Sequence, residues 1–204
     1  MSLRPLRPHL LLAVLFSTLA GCSVLPEAEA LRVFLLPSQA VEATGAPVPQ
    51  VERSLRINTP QASRILASER IAVIPQGNQI SAYQGARWSD AAPVLLRDRL
   101  IEAFQRDGRL PSVSSEDANL PADLVLYSDL RAFQSEYRDG RPHAVIRLDA
   151  RLVDRQTQRT LANRRFETSQ ASAGTDVERV VEAFGRAGDA LSGEVLNWTL
   201  GHAR

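Results

Sequence analysis

Between residues 144 and 152 the chain alternates in polarity: Ala144, Ile146, Leu148, Ala150 and Leu152 fall on one side of an extended strand, and Arg147, Asp149 and Arg151 on the other. A period of two with one apolar and one charged side predicts a strand that is buried on one face and wet on the other. Upstream, Leu124, Leu126 and Leu130 alternate with Val125, Tyr127 and Asp129, and Asp139 with Gly140 supplies a tight hairpin turn between the two runs. A second turn around Asp154 to Gln158 leads into a strand over 161–167. Its weaker alternation, with Arg164 and Arg165, predicts the edge of an antiparallel meander.

Two segments carry the helical period instead. After Trp88, either Ser89 or Asp90 is placed to cap a helix, Pro93 sits in its first turn and Gly108 ends it. Leu96, Leu100, Ala103 and Phe104 form its buried face, with Arg97, Asp98, Arg99 and Glu102 on polar positions. From Thr175, a capping box with Glu178 opens a longer helix on which Val177, Val181, Phe184, Gly188, Leu191, Val195 and Trp198 recur at steps of three and four. That stripe suits packing on a sheet, and part of it could face a partner. Gly185, Gly188 and Gly193 permit close approach on this helix. Shorter strands are expected at 33–36, at 54–58 and at 70–74, the last stopped by Pro75 and Gly77, with an irregular loop from Pro37 to Gln50. These elements predict a single α/β domain with a mixed sheet that contains the meander.

The N-terminal residues have a different character. Arg4 and Arg7 precede an apolar stretch from Leu10 to Phe16, and Leu19, Ala20, Gly21 and Cys22 follow. This layout is that of a secretory signal, and the last four residues resemble a bacterial lipobox. The apolar core from Leu10 to Ala20 is well short of the roughly 20 residues that a membrane span needs. The expected organisation is a signal peptide at 1–21, a lipidated N-terminus and tether at 22–30, and one domain at 31–204. The likeness to bacterial lipoproteins implies diacylglyceryl on the Cys22 sulfur and a further acyl chain, such as palmitate, on its amine. Several acyl chains on one residue hold a protein essentially permanently, whereas a single chain binds only marginally. Ser23, where aspartate often signals inner-membrane retention, implies sorting to the periplasmic face of the outer membrane. Nine residues from Cys22 to Ala30 reach at most about 30 Å when extended.

Charge and motif content narrow the function classes. The chain has 24 basic residues, all arginine, against 23 acidic ones, and no long run of either sign, so there is no electrostatic case for nucleic acid. Cys22 is the single cysteine, which leaves no disulfide to stabilise the domain. No Gly-x-Ser-x-Gly, no glycine-rich phosphate loop and no His-Glu-x-x-His occurs. His143 reads as a solvated loop histidine, His202 as part of a mobile end, and Asp98 with Glu102 as a solvated helix face. No catalytic residue, metal site or cofactor is expected. Gly85 predicts a loop over 83–88, and Tyr83, Arg87 and Trp88 on it are candidate partner-binding residues. For Trp88 the competing assignment is packing, in the core or as a staple onto the first turn of the following helix.

The order of these features resembles the ABC-type transport auxiliary lipoproteins. The likeness rests on the lipidated cysteine and short strand, then Ile71 to Ile74, Tyr83, Arg87 and Trp88, then Pro93, Leu95, Leu96, Leu100 and Phe104. It continues through Ala122, Asp123, Leu124 to Leu130 and Phe133, then Arg151, Leu152, Val153, Arg165 and Phe166. The resemblance implies a three-layer α/β/α sandwich with a mixed sheet. It also implies a non-enzymatic accessory role at the outer membrane, with an MCE-domain protein and ABC transporter components of a lipid transport system as partners, and a possible homo-oligomer. A structural or assembly lipoprotein of the envelope without a transporter partner is the alternative.

Overall fold

The computed structural model describes residues 30–38 and 51–203. Cys22, the rest of the expected signal and tether through 29, and positions 39–50 of the expected irregular loop lie outside the described residues. Among the described residues nine strands form one mixed sheet: β1 (Arg32–Phe34), β2 (Leu55–Ile57), β3 (Gln61–Ala62), β4 (Arg70–Gln76), β5 (Gln79–Trp88), β6 (Val113–Ser115), β7 (Leu124–Arg138), β8 (Arg141–Asp154) and β9 (Arg159–Ala171). The helices among the described residues are α1 (Ala92–Asp107), α2 (Val177–His202) and one 3-10 turn at Glu116–Ala118.

The long strand β7 organises the sheet. On one side it pairs antiparallel with β8 from Leu124 opposite Asp154 to Arg138 opposite Arg141, and β9 pairs in turn with β8. On the other side β2, β3 and β4 follow one another in parallel along residues 124–126, 129–130 and 134–136 of β7. β6 then flanks β2, β5 flanks β4, and β1 flanks β5 at the end of the sheet. The turn between β7 and β8 has both Asp139 and Gly140 at positive φ, the hairpin geometry that matches strand twist.

One register slip decides the core. Leu130 faces Leu148, but Ala132 faces Arg147 and Phe133 faces Ile146, so Arg131 is an extra residue in β7. An inserted residue reverses the facing of everything after it, and Phe133 thereby joins Leu124, Leu126 and Leu130 on the apolar side. The alternating residues of β8, from Ala144 to Leu152, are all buried there as their pattern predicts. The two long helices touch each other and share this single apolar cluster, α1 reaching β2 and β6 and α2 reaching β8 and β9. The chain thus adopts the expected class, a single α/β domain with a mixed sheet and an antiparallel meander. The charged side of the meander, with Asp149, Arg151 and Arg165, faces away from both helices.

Local expectations are corrected in three places. Residues 83–88 are strand, not loop: Gly85 lies within β5 at φ +62°, where the pairing with β4 slips between Arg70 opposite Arg87 and Ala72 opposite Ala82. A left-handed glycine lets a strand absorb extra residues as a bulge without ending it. Neither Ser89 nor Asp90 caps α1; the N-cap is Ala91, and the Asp90 carboxylate accepts the N–H of Ala91 itself at 2.6 Å, not one from the first turn. The cap of α2 is Asp176, whose carboxylate accepts the Arg179 N–H at 3.1 Å, while Glu178 turns instead to pair with Arg32.

Candidate functional site

β5 holds the three residues singled out from the sequence and separates them. Tyr83 is half-buried, and its hydroxyl donates to Ser135 Oγ at 3.2 Å. Burial pushes its phenol up to about 12, against the opposing effect of the Ser135 hydrogen bond. At neutral pH it is therefore a hydrogen-bond donor and not a base. Arg87 pairs with Glu69 on the surface. Both line an open groove of about 640 Å³ together with Leu31, Glu69 and Arg70. Trp88 does not belong to it. Its side chain is 0% exposed and meets Phe184 and Phe133 edge-on, with ring centroids 5.3 and 5.8 Å away. Trp88 at the end of β5 faces the core, so the candidate partner contact is corrected to packing.

Apart from this groove, the structure holds an arrangement that sequence reading missed. Arg99, assigned to the polar face of α1, is buried at 6% exposure. Its Nη2 donates to the carbonyls of Leu36 at 2.8 Å and Pro37 at 2.6 Å, and its Nη1 pairs with Asp189 of α2. A buried guanidinium is tolerated only when its donors are satisfied, and these partners satisfy it. The segment that continues from β1 is in this way tied to both helices. Gly185 completes the fit, since a Cβ there would stand 2.8 Å from the Pro37 carbonyl oxygen. The available signal was spacing: Arg99 follows Leu96 by three residues and so falls on the apolar stripe of α1.

Many of the remaining charged groups are engaged in ion pairs. Asp149 accepts from Arg165 at 2.5 Å and Arg131 at 2.9 Å, and the Arg165 hydrogen bond, with Arg131 beside it, holds its carboxyl well below the usual carboxylate range. Arg147 forks onto Glu167 at 2.8 and 2.9 Å. Asp98 pairs with Arg97 and Glu102 with Arg106, as a solvated helix face would. His143 lies in β8 opposite Glu136, a correction to its reading as a loop residue. His202 ends α2, with Nδ1 2.8 Å from the Trp198 carbonyl oxygen and its ring 5.5 Å from the indole. Among the described residues no group of three or more His, Cys, Asp or Glu is placed to hold a metal ion.

Fold and site together define a small mixed α/β domain whose N-terminal strand is fastened to its helices and whose charged sheet face is a lattice of paired arginines and carboxylates. Residues 34–195 match the family model described as ABC-type transport auxiliary lipoprotein component, and the chain belongs to that family. An uncharacterized protein of Bradyrhizobium diazoefficiens is 30% identical over 148 residues, 72% of this chain. The chain spans 39% of the length of that relative. A crystallised protein of Xanthomonas campestris is 32% identical, with a TM-score of 0.76 over 83% of this chain and 95% of that one. A hypothetical protein of Chlamydia trachomatis, 12% identical with a TM-score of 0.53 over 74% of this chain and 98% of that one, shares the fold.

Proposed function

We propose that this auxiliary lipoprotein is a non-enzymatic accessory component of an MCE-type intermembrane lipid transport system. In this reading Cys22 carries the acyl anchor, residues 22–30 are the tether, and the domain from 31 to 204 sits at the periplasmic face of the outer membrane. One observation carries the proposal: the region that matches the transport-auxiliary family begins at Phe34, the last residue of β1, and follows the expected lipobox and tether within a few residues. Tyr83 and Arg87, exposed to the groove on β5, are the partner-contact residues in this proposal.

The test is crosslinking in intact envelopes followed by purification of the protein and mass-spectrometric identification of what it carries. Recovery of an MCE-domain protein with an ATPase and permease is the expected result. Recovery of outer-membrane assembly components alone would replace the transport role with a structural or assembly one.

A further inference from the structure

We infer that the apolar row Leu31, Val33 and Leu35 is the face on which the domain rests against the phospholipid bilayer that holds its anchor. The inference rests on the lipoprotein reading of Cys22. Leu31, Val33 and Leu35 are 55%, 52% and 75% exposed, while Phe34 between them and Leu36 after them pack against the core. Three aliphatic side chains thus project to solvent from five consecutive residues. The other exposed large apolar residues, among them Leu120 and Leu161, stand apart in sequence. A contiguous apolar patch marks an interaction surface, whereas scattered apolar residues do not.

The position of the row selects a bilayer. It begins one residue after the expected tether, whose nine residues allow at most about 30 Å of separation from the acylated cysteine. The Arg99 hydrogen bonds to Leu36 and Pro37, the Arg32 pair with Glu178 and the Ser89 N–H on the Phe34 carbonyl fix the strand, so the row cannot rotate inward. Arg70, which has no carboxylate partner among the described residues, lines the same groove as Leu31 and offers a guanidinium to lipid phosphate. Strand addition by a protein suits this edge less. β1 is only three residues long, and very short edge strands are poor templates for pairing. The exposed apolar residues of the row are Leu and Val, not the Trp and Tyr that dominate protein contacts, and the exposed Arg32 beside them is already paired with Glu178. Shallow insertion of the side chains leaves the strand's backbone groups at the hydrated headgroup level.

The lipidated full chain, reconstituted in vesicles of phosphatidylethanolamine and phosphatidylglycerol, provides the test. Val33→Cys is labelled with an environment-sensitive fluorophore, and Leu120→Cys serves as the reference position; acylated Cys22 leaves no competing thiol. The Val33 label is expected to shift to the blue and to be quenched at least twofold more by brominated lipids than the Leu120 label. A Val33 label that stays in water on vesicle-bound protein overturns the inference. So does equal quenching at both positions. Shielding of Val33 from aqueous iodide without quenching by brominated lipid overturns it in favour of a protein contact. Wild-type protein that fails to float with vesicles, in the same way as Cys22→Ser, overturns the anchor and the bilayer face with it.

Discussion

Trp88 at the end of β5 and Phe184 in the N-terminal third of α2 meet edge to face, with ring centroids 5.3 Å apart and planes at 88°. Phe133 stacks on Phe184 at 4.9 Å, so strands β5 and β7 are joined to α2 through three rings. Replacing Trp88 by Ala should cost about 3–5 kcal/mol, the usual range for removing a large buried aromatic. The indole N–H has no hydrogen-bond partner among the described residues. Trp88→Phe removes that unsatisfied donor with less loss of volume and should cost less than half as much. Denaturant midpoints of the two variants check the order, and a Trp88→Ala midpoint equal to wild type would refute the packing role.

Arg99→Met keeps much of the side-chain volume and removes the donors to the Leu36 and Pro37 carbonyls. A loss of about 1.5–3 kcal/mol is expected, typical of hydrogen bonds that involve a charged group. Amide exchange should rise in residues 31–36 more than in β8, because the fastening of β1 is what the guanidinium provides. Uniform acceleration across both strands would show that Arg99 supports the core in general.

Two glycines of α2 should respond in opposite directions. A Cβ at Gly185 meets the Pro37 carbonyl oxygen at 2.8 Å, and Gly185→Ala should destabilise by about 1–3 kcal/mol through overpacking. Gly193 has nothing within 4 Å of that position, so Gly193→Ala should stabilise by about 0.5–1 kcal/mol through helix propensity. Thermal melts of the pair read the sign directly.

Asp154 accepts hydrogen bonds from the Thr157 N–H at 2.8 Å, from Arg53 at 2.5 Å and from the Thr157 hydroxyl at 2.9 Å, and its carboxyl is held down at about 2. The folded value lies below the 3.8 of a free aspartate. Its contribution is therefore fully present above that value and is lost as pH falls through about 2. Wild type minus Asp154→Asn stability, followed by urea unfolding from pH 5 downward, should shrink across this window. A difference that stays constant with pH would contradict the assignment.

Cys22→Ser removes the proposed site of acylation. Because acyl chains supply the attachment in this reading, fractionation should move the protein from the outer membrane to the soluble periplasmic fraction. Retention of the variant in the outer membrane would show that the domain binds there by its own surface.

Periodicity by itself determined the meander and both long helices. Strict alternation at 144–152 has one solution when one face is buried, and the α2 stripe from Val177 to Trp198 likewise leaves one buried side. The order of the elements around Cys22, Tyr83, Arg87 and Trp88 was enough to carry the family likeness. What only the tertiary structure decided depends on contacts between residues far apart in the chain. The bulge at Arg131 turns Phe133 inward, and Gly85 keeps β5 extended through Trp88; no local pattern announces either register slip. The short strands β3 and β6 exist because β7 and β2 offer open edges, not because of their own propensity. Arg99 reads as a solvated charge until Pro37, 62 residues before it, and Asp189, 90 residues after it, converge on its guanidinium. A side chain's polarity can be read from one position, but whether it is buried depends on the partners that the whole fold brings to it.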